Sequence, residues 1–315
     1  MRSVRILFFG SPEFAVPTLQ ALVASRHSVA AVVTQPDRPR GRGQRVTPGA
    51  VAAAARAMGL PLAQPVRLAD PGVADALAAY GADLGVVAAY GKILPDWLLA
   101  LPPRGLLNVH ASLLPRHRGA APVHRAVMAG DRETGVTIMR VVRALDAGPM
   151  LVRAVVPVGP DDTSADVERV LGDIGAALLV QVVDRLAAGP VPEEPQEDRH
   201  ATYAAKITRA DSPVDWRRPA QAIHDQIRGL HPWPHASSVL GGARLILHRS
   251  VRLPGAGPAP PGRIVAAGAA GLDVAAGDGA VVRLTELQTE GGRRVTASEF
   301  LAGRALPPGT AFEVV

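Results

Sequence analysis

The chain has 315 residues, 48% apolar and 3% aromatic, with no cysteine and a formal charge of +6. That length supports two domains, each with its own core, and the lack of cysteine excludes disulfides and thiolate metal sites, in keeping with a reducing compartment. The apolar run near the N-terminus is too short for a secretory signal, and Asp or Arg interrupts every longer run before it reaches membrane-spanning length, so the expected location is cytoplasmic.

The charge is uneven. Residues 1–60 hold eight Arg against Glu13 and Asp37, a balance of +6, residues 208–315 hold twelve Arg against nine acids, and the stretch between them is net negative. Positive charge in two separate regions suits a polyanionic partner. Lysine occurs only at 92 and 206. Codon bias explains the preference for Arg over Lys, but not where the charge sits.

Residues 4–9 read as a buried first strand and 10–12 as the turn after it. Residues 14–24 read as a helix that tolerates Pro17 in its first turn. Strands follow at 29–34, 84–88 and 105–109, with helices at 71–80 and 123–129. This alternation predicts a parallel, Rossmann-like α/β sheet. No G-x-G-x-x-G follows the first strand and no G-x-x-x-x-G-K-[ST] occurs, so the sheet carries no nucleotide fingerprint. Residues 163–186 place Val167, Val170, Leu171, Ile174 and Leu178 at helical spacing. Composition then shifts to Gly, Pro and Glu and predicts a linker at 189–207 between domains at 1–188 and 208–315. After a helix at 219–230, short strands at 243–248, 262–265, 272–275 and 280–284, with a loop at 255–262, predict a small β-barrel.

Between the second and third strands, QPDRPRGRGQRVTP lacks periodicity and reads as a long exposed loop. Its guanidinium groups, on Arg38, Arg40, Arg42 and Arg45, suit phosphates; composition alone equally allows a plain solvated loop.

The stretch at 106–151 gathers the chemistry. Asn108 and His110 stand two apart at a strand end and share a face. Asp146 follows a second strand at 135–142. An amide donor can stabilise an oxyanion, an imidazole can exchange protons near neutrality, and a carboxylate can fix the imidazole's tautomer. With no G-x-S-x-G elbow and no cysteine, the set suits direct acyl transfer to an amine rather than a covalent acyl-enzyme. Taken singly, each has a plainer use as a turn cap, a core histidine or a helix cap. His117, His124 and Asp131 match no metal-ligand spacing, so no metal is expected.

NVHASLLPRHRG, GVTIM and LDAGPML, preceded by ILFFGSPEFAVPTL, TQPDRPRGRG and VVAAYGKILP and followed by ATYAAKIT and HPWP, resemble the formyltetrahydrofolate-dependent formyltransferases in order along nearly the whole chain. The resemblance is weakest in about the last sixty residues. It implies an OB-like second domain, 10-formyltetrahydrofolate as co-substrate, and the α-amino group of methionine on initiator tRNA as acceptor. It also implies catalytic roles for Asn108, His110 and Asp146, folate contact through Tyr90, Ile93, Ser112, Leu113, Leu114 and Pro115, and tRNA contact through the arginine loop and Lys206. A monomer is expected. Ala111, His117, Ala147 and Pro149 depart from the family pattern, and Pro149 removes an N–H from the loop after Asp146.

Overall fold

The first strand, β1 (Arg5–Gly10), is buried along all but its first residue, as a continuous apolar run must be in a sheet covered on both faces. A computed structural model describes residues 3–40, 45–255, 259–302, 304, 306, 307 and 309–313, with only the backbone of Arg40 and Arg45. The strands after β1 are β2 (Ser28–Val33), β3 (Arg38–Arg40), β4 (Arg45–Thr47), β5 (Leu62–Ala63), β6 (Leu84–Ala88), β7 (Leu106–His110), β8 (Arg118–Gly119), β9 (Glu133–Arg140), β10 (Met150–Pro157) and β11 (Tyr203–Ala204). The helices are α1 (Val16–Ala24), α2 (Ala50–Ala57), α3 (Val73–Ala78), α4 (Asp96–Ala100), α5 (Pro122–Met128), α6 (Ser164–Ala188), α7 (Ala220–Gly229) and α8 (Ala297–Leu301).

The described chain divides into two units, and neither is contiguous in sequence. One comprises Met1–Ala120, Thr134–Pro157 and Glu168–Ala204; the other comprises Ala121–Glu133, Val158–Val167 and Ala205–Val315. A single boundary near residue 188 does not describe this division.

In the first unit a seven-stranded sheet runs in the order β10-β9-β7-β6-β1-β2-β5. β5, β2, β1, β6 and β7 are parallel, and β9 joins β7 antiparallel. Period two sends Ile6 and Phe8 into one core with Leu19, Leu22, Val51 and Val183, and Leu7 and Phe9 into the other with Leu77 and Leu98. α6 opens on a reciprocal cap that belongs to the second unit: Thr163 N and Oγ1 donate to Asp166 Oδ2, and Asp166 N donates back to Thr163 Oγ1 at 3.3 Å.

The described flanks of the arginine loop pair with each other instead of running as free coil. β3 and β4 form an antiparallel ribbon with Pro39 opposite Val46. Arg42 lies outside the described residues.

The expected linker is no free tether. Glu194 N donates to Met150 O at 2.8 Å, and β11 pairs in parallel with β8. Val191 is buried in the sheet core.

In the second unit β12 (Ala236–Leu240), β13 (Ala243–Leu253), β14 (Ile264–Gly268), β15 (Gly271–Ala275), β16 (Val281–Thr289) and β17 (Arg294–Thr296) form one antiparallel sheet. Ala311 bridges Arg263 and Phe312 bridges Leu240, which joins the two edges into an OB-like barrel. Its core holds Trp216, tilted against Phe312 at 5.1 Å, with Ile223 and Ile227 from α7. Residues 256–258 of the expected 255–262 loop are outside the described residues.

Candidate active site

β7 is the strand at which the sheet changes direction, with parallel β6 on one side and antiparallel β9 on the other. Ligands of open α/β sheets gather at the carboxyl ends of such strands. Asn108 is half-buried there, opposite Met139, and His110 closes the strand opposite Thr137.

His110 is 5% exposed. Its Nε2 lies 3.1 Å from the backbone carbonyl oxygen of His117. A carbonyl only accepts, so Nε2 carries the hydrogen and Nδ1 is the nitrogen left to exchange a proton. Nδ1 faces Asp146 Oδ2 at 3.8 Å, longer than a hydrogen bond. The expectation that Asp146 fixes the tautomer is therefore corrected: the carbonyl does so, and the carboxylate stands ready for an imidazolium.

Asp146 is itself held. Its φ is 48°, a left-handed conformation that Asp tolerates better than most residues, and its Oδ2 accepts from Gly119 N at 2.8 Å. Gly119 has φ 119°, and a Cβ there would meet the Ala204 carbonyl oxygen at 2.8 Å, so the donor must be a glycine. Gln196 Nε2 donates to the carbonyls of Asp146 and Gly148, at 2.8 and 2.7 Å. Its own Oε1 accepts from buried Arg118, which also pairs with Asp198. Sequence reasoning assigned none of Gly119, Arg118 and Gln196. Only Arg118-Gly119 sat within a recognisable motif.

The SLLP segment follows directly on β7 and is tied to Thr137 of β9. Ser112 Oγ donates to Arg116 O, Thr137 Oγ1 donates to Ser112 O, and Leu114 N donates to Thr137 Oγ1. Ser112 and Leu114 are buried, whereas Leu113 and Pro115 are half-buried. Leu113 and Pro115 are thus the two side chains of this segment with surface to offer.

The remaining expected folate residues separate. Tyr90 is 1% exposed, edge-on to Phe9 at 5.6 Å, and burial pushes its phenol up to about 12. Its hydroxyl has no described partner, so what faces the strand ends is its carbonyl, which accepts from Ser11 Oγ and Gln35 Nε2. Ile93 is 95% exposed. Between them Lys92 Nζ donates to Pro65 O and Val66 O, and burial, then Arg38, hold its amine below the usual lysine range.

Arg38 is exposed at the base of the ribbon and donates to Gln35 Oε1 at 3.4 Å. Lys206 is exposed in the second unit, where its carbonyl accepts from Arg125.

The formyl transferase family matches residues 4–183, and the formyl transferase C-terminal domain matches residues 206–305. The chain belongs to the formyl transferase family and is a transferase. Among its relatives are the methionyl-tRNA formyltransferases of Paracoccus denitrificans, 49% identical over 304 residues (96% of this chain, 99% of that protein), and Thiobacillus denitrificans, 47% identical over 308 (98% and 99%). Its fold is shared with HypX from Aquifex aeolicus in complex with tetrahydrofolic acid, at TM-score 0.66 and 18% identity, covering 98% of this chain and 49% of that one. An N-formyltransferase from Helicobacter canadensis aligns at TM-score 0.65 and 14% identity, over 89% and 98%. Among the described residues no helix is long and apolar enough to cross a membrane.

Proposed function

We propose that this chain transfers the formyl group of 10-formyltetrahydrofolate to the α-amino group of methionyl initiator tRNA, as a cytoplasmic monomer serving translation initiation. The carrying observation is the pairing of His110, its Nε2 anchored on a carbonyl, with a carboxylate held beside Nδ1. Agreement with the methionyl-tRNA formyltransferases over both domains supports the choice of acceptor.

The amine nitrogen attacks the formyl carbon and a tetrahedral oxyanion forms. Asn108 donates to that oxygen; one such donor is worth about 10²–10³ in turnover. His110 Nδ1 takes the proton lost by the amine, and Asp146 stabilises the imidazolium. The bond from carbon to the folate nitrogen then breaks, His110 returns the proton to that nitrogen, and the formamide leaves. Leu113, Pro115 and the backbone around Tyr90 line the folate side, with Ile93 an exposed apolar contact and Ser112 and Leu114 supporting it. Arg38, Arg40, Arg42 and Arg45 meet tRNA phosphates, and Lys206 adds a further cation.

The test is transfer of labelled formyl to purified initiator methionyl-tRNA, with elongator methionyl-tRNA alongside. Label on the initiator alone supports the reading. Folate consumed with neither tRNA labelled points to another amine acceptor, and no folate turnover leaves a tRNA-binding protein without catalysis.

A further inference from the structure

The second unit brings together three histidines that the transfer reaction does not use. His231 and His235 lie in the turn between α7 and β12, and His248 lies on β13. One ring nitrogen from each falls within 4.8 Å of those of the other two. The His235 ring stands between its neighbours, with centroids 5.2 Å from His231 and 4.4 Å from His248. The β13–β16 register shifts between Leu247 and Arg249, so His248 sits at a bulge, a device that re-aims a side chain.

The hydrogen bonds decide which nitrogens are available. Gln288 Nε2 donates to Gly292 O at 2.9 Å, which turns its Oε1 toward His248 Nε2, also at 2.9 Å. His248 therefore carries its hydrogen on Nε2 and presents a bare Nδ1 lone pair. The Nδ1 atoms of all three rings are buried without a described hydrogen-bond partner. Buried polar atoms nearly always find partners, and three rings lacking one at a single place point to a ligand that imidazoles share.

We propose that His231, His235 and His248 bind a divalent transition-metal ion of the zinc class, with Gln288 orienting His248 from behind. Imidazole nitrogens suit zinc, cobalt, nickel and copper rather than magnesium or calcium. Metal–nitrogen bonds of about 2.0–2.1 Å in tetrahedral geometry set ligand atoms about 3.4 Å apart, so modest ring rotation closes the site. The fourth position is left to water.

The electrostatics keep the ligands in their binding form. Burial first, then Arg249 and Arg294, hold His231 below the ordinary histidine range, and burial does the same for His235 and His248. Neutral imidazole is the form that coordinates. The two arginines oppose a cation, and Asp166 and Glu286 offset them; Glu286 is paired directly with Arg294.

The experiment uses untagged full-length protein, stripped with chelator, incubated with Zn²⁺ and passed through gel filtration before metal analysis. One equivalent per chain is expected, with Co²⁺ giving the visible spectrum of a nitrogen-ligated ion and Mg²⁺ not retained. His231→Gln and His235→Asn should each reduce retention to background, and Gln288→Leu should weaken binding about 10–100-fold. No retained ion in the wild type, or equal retention in both histidine variants, overturns the proposal. Should the variants fail to fold by circular dichroism, the wild-type Co²⁺ spectrum decides: absence of nitrogen-ligand bands overturns it.

Discussion

His110 Nε2 lies 3.1 Å from the backbone carbonyl oxygen of His117, seven residues further on. This contact, not the nearby carboxylate, sets the tautomer of the candidate base, and it uses the backbone of His117 alone. The contact therefore does not depend on which side chain residue 117 carries. Substituting His110→Asn removes proton exchange while keeping a polar side chain of similar bulk. Turnover should fall about 10²–10⁴-fold with the folate KM little changed. Single-turnover formyl transfer measures this; unchanged turnover would remove His110 from the mechanism.

Gln196 holds the loop that carries Asp146 through two carbonyls and accepts from buried Arg118. Gln196→Leu deletes these contacts and leaves Arg118 with Asp198 as its described side-chain partner. Each lost hydrogen bond costs about 0.5–1.5 kcal/mol, so both stability and kcat should drop. In the proposed mechanism Asp146 acts on the imidazolium, so the pH profile of kcat should also move, a change that simple destabilisation would not produce. Thermal melts and a kcat–pH series separate the two effects.

The sequence carried some of this arrangement and hid the rest. β1 was legible because a parallel strand buried on both faces must be apolar throughout, and the spacing of Asn108 and His110 was legible because strands have period two. Gln196 was hidden because its partners lie 48 and 50 residues away, and a Gln in a Pro- and Glu-rich stretch resembles linker. The His117 carbonyl was invisible in principle, since every residue has one. The β3–β4 ribbon was missed because RPR and RVT offer almost no apolar alternation.

Tyr90 tests the folate wall. Its hydroxyl is buried without a described partner, so the group costs stability rather than adding it. Tyr90→Phe should leave the melting temperature unchanged or raised, and should leave the folate KM unchanged if the backbone alone faces folate. A several-fold rise in KM would return the phenol to the site.

Arg38 is exposed at the ribbon's base and has a long contact, 3.4 Å, to Gln35. Arg38→Ala should weaken tRNA binding and lower the slope of log affinity against log salt by about 1. Folate binding should be untouched. An unaltered salt slope would place tRNA elsewhere on the chain.

His235 is held down to about 4 by burial first and then by His248, His231 and Arg294. The sign follows from linkage. Above the ordinary histidine value of 6.5 the group is neutral both folded and unfolded, and it adds no pH dependence. Between 6.5 and about 4 the unfolded chain takes up a proton that the folded chain refuses, so stability falls as pH falls. Below that window this histidine causes no further loss. Asp166 and Asp211, both held below the ordinary aspartate range, lose their contributions at lower pH, whereas His124, His231 and His248, also held below the ordinary histidine range, share the window with His235. Chelator-treated protein should therefore melt progressively earlier from pH 6.5 to 4, and His235→Asn should flatten that part of the curve. Melting curves in both proteins decide it; identical slopes would mean that His235 is protonated in the fold.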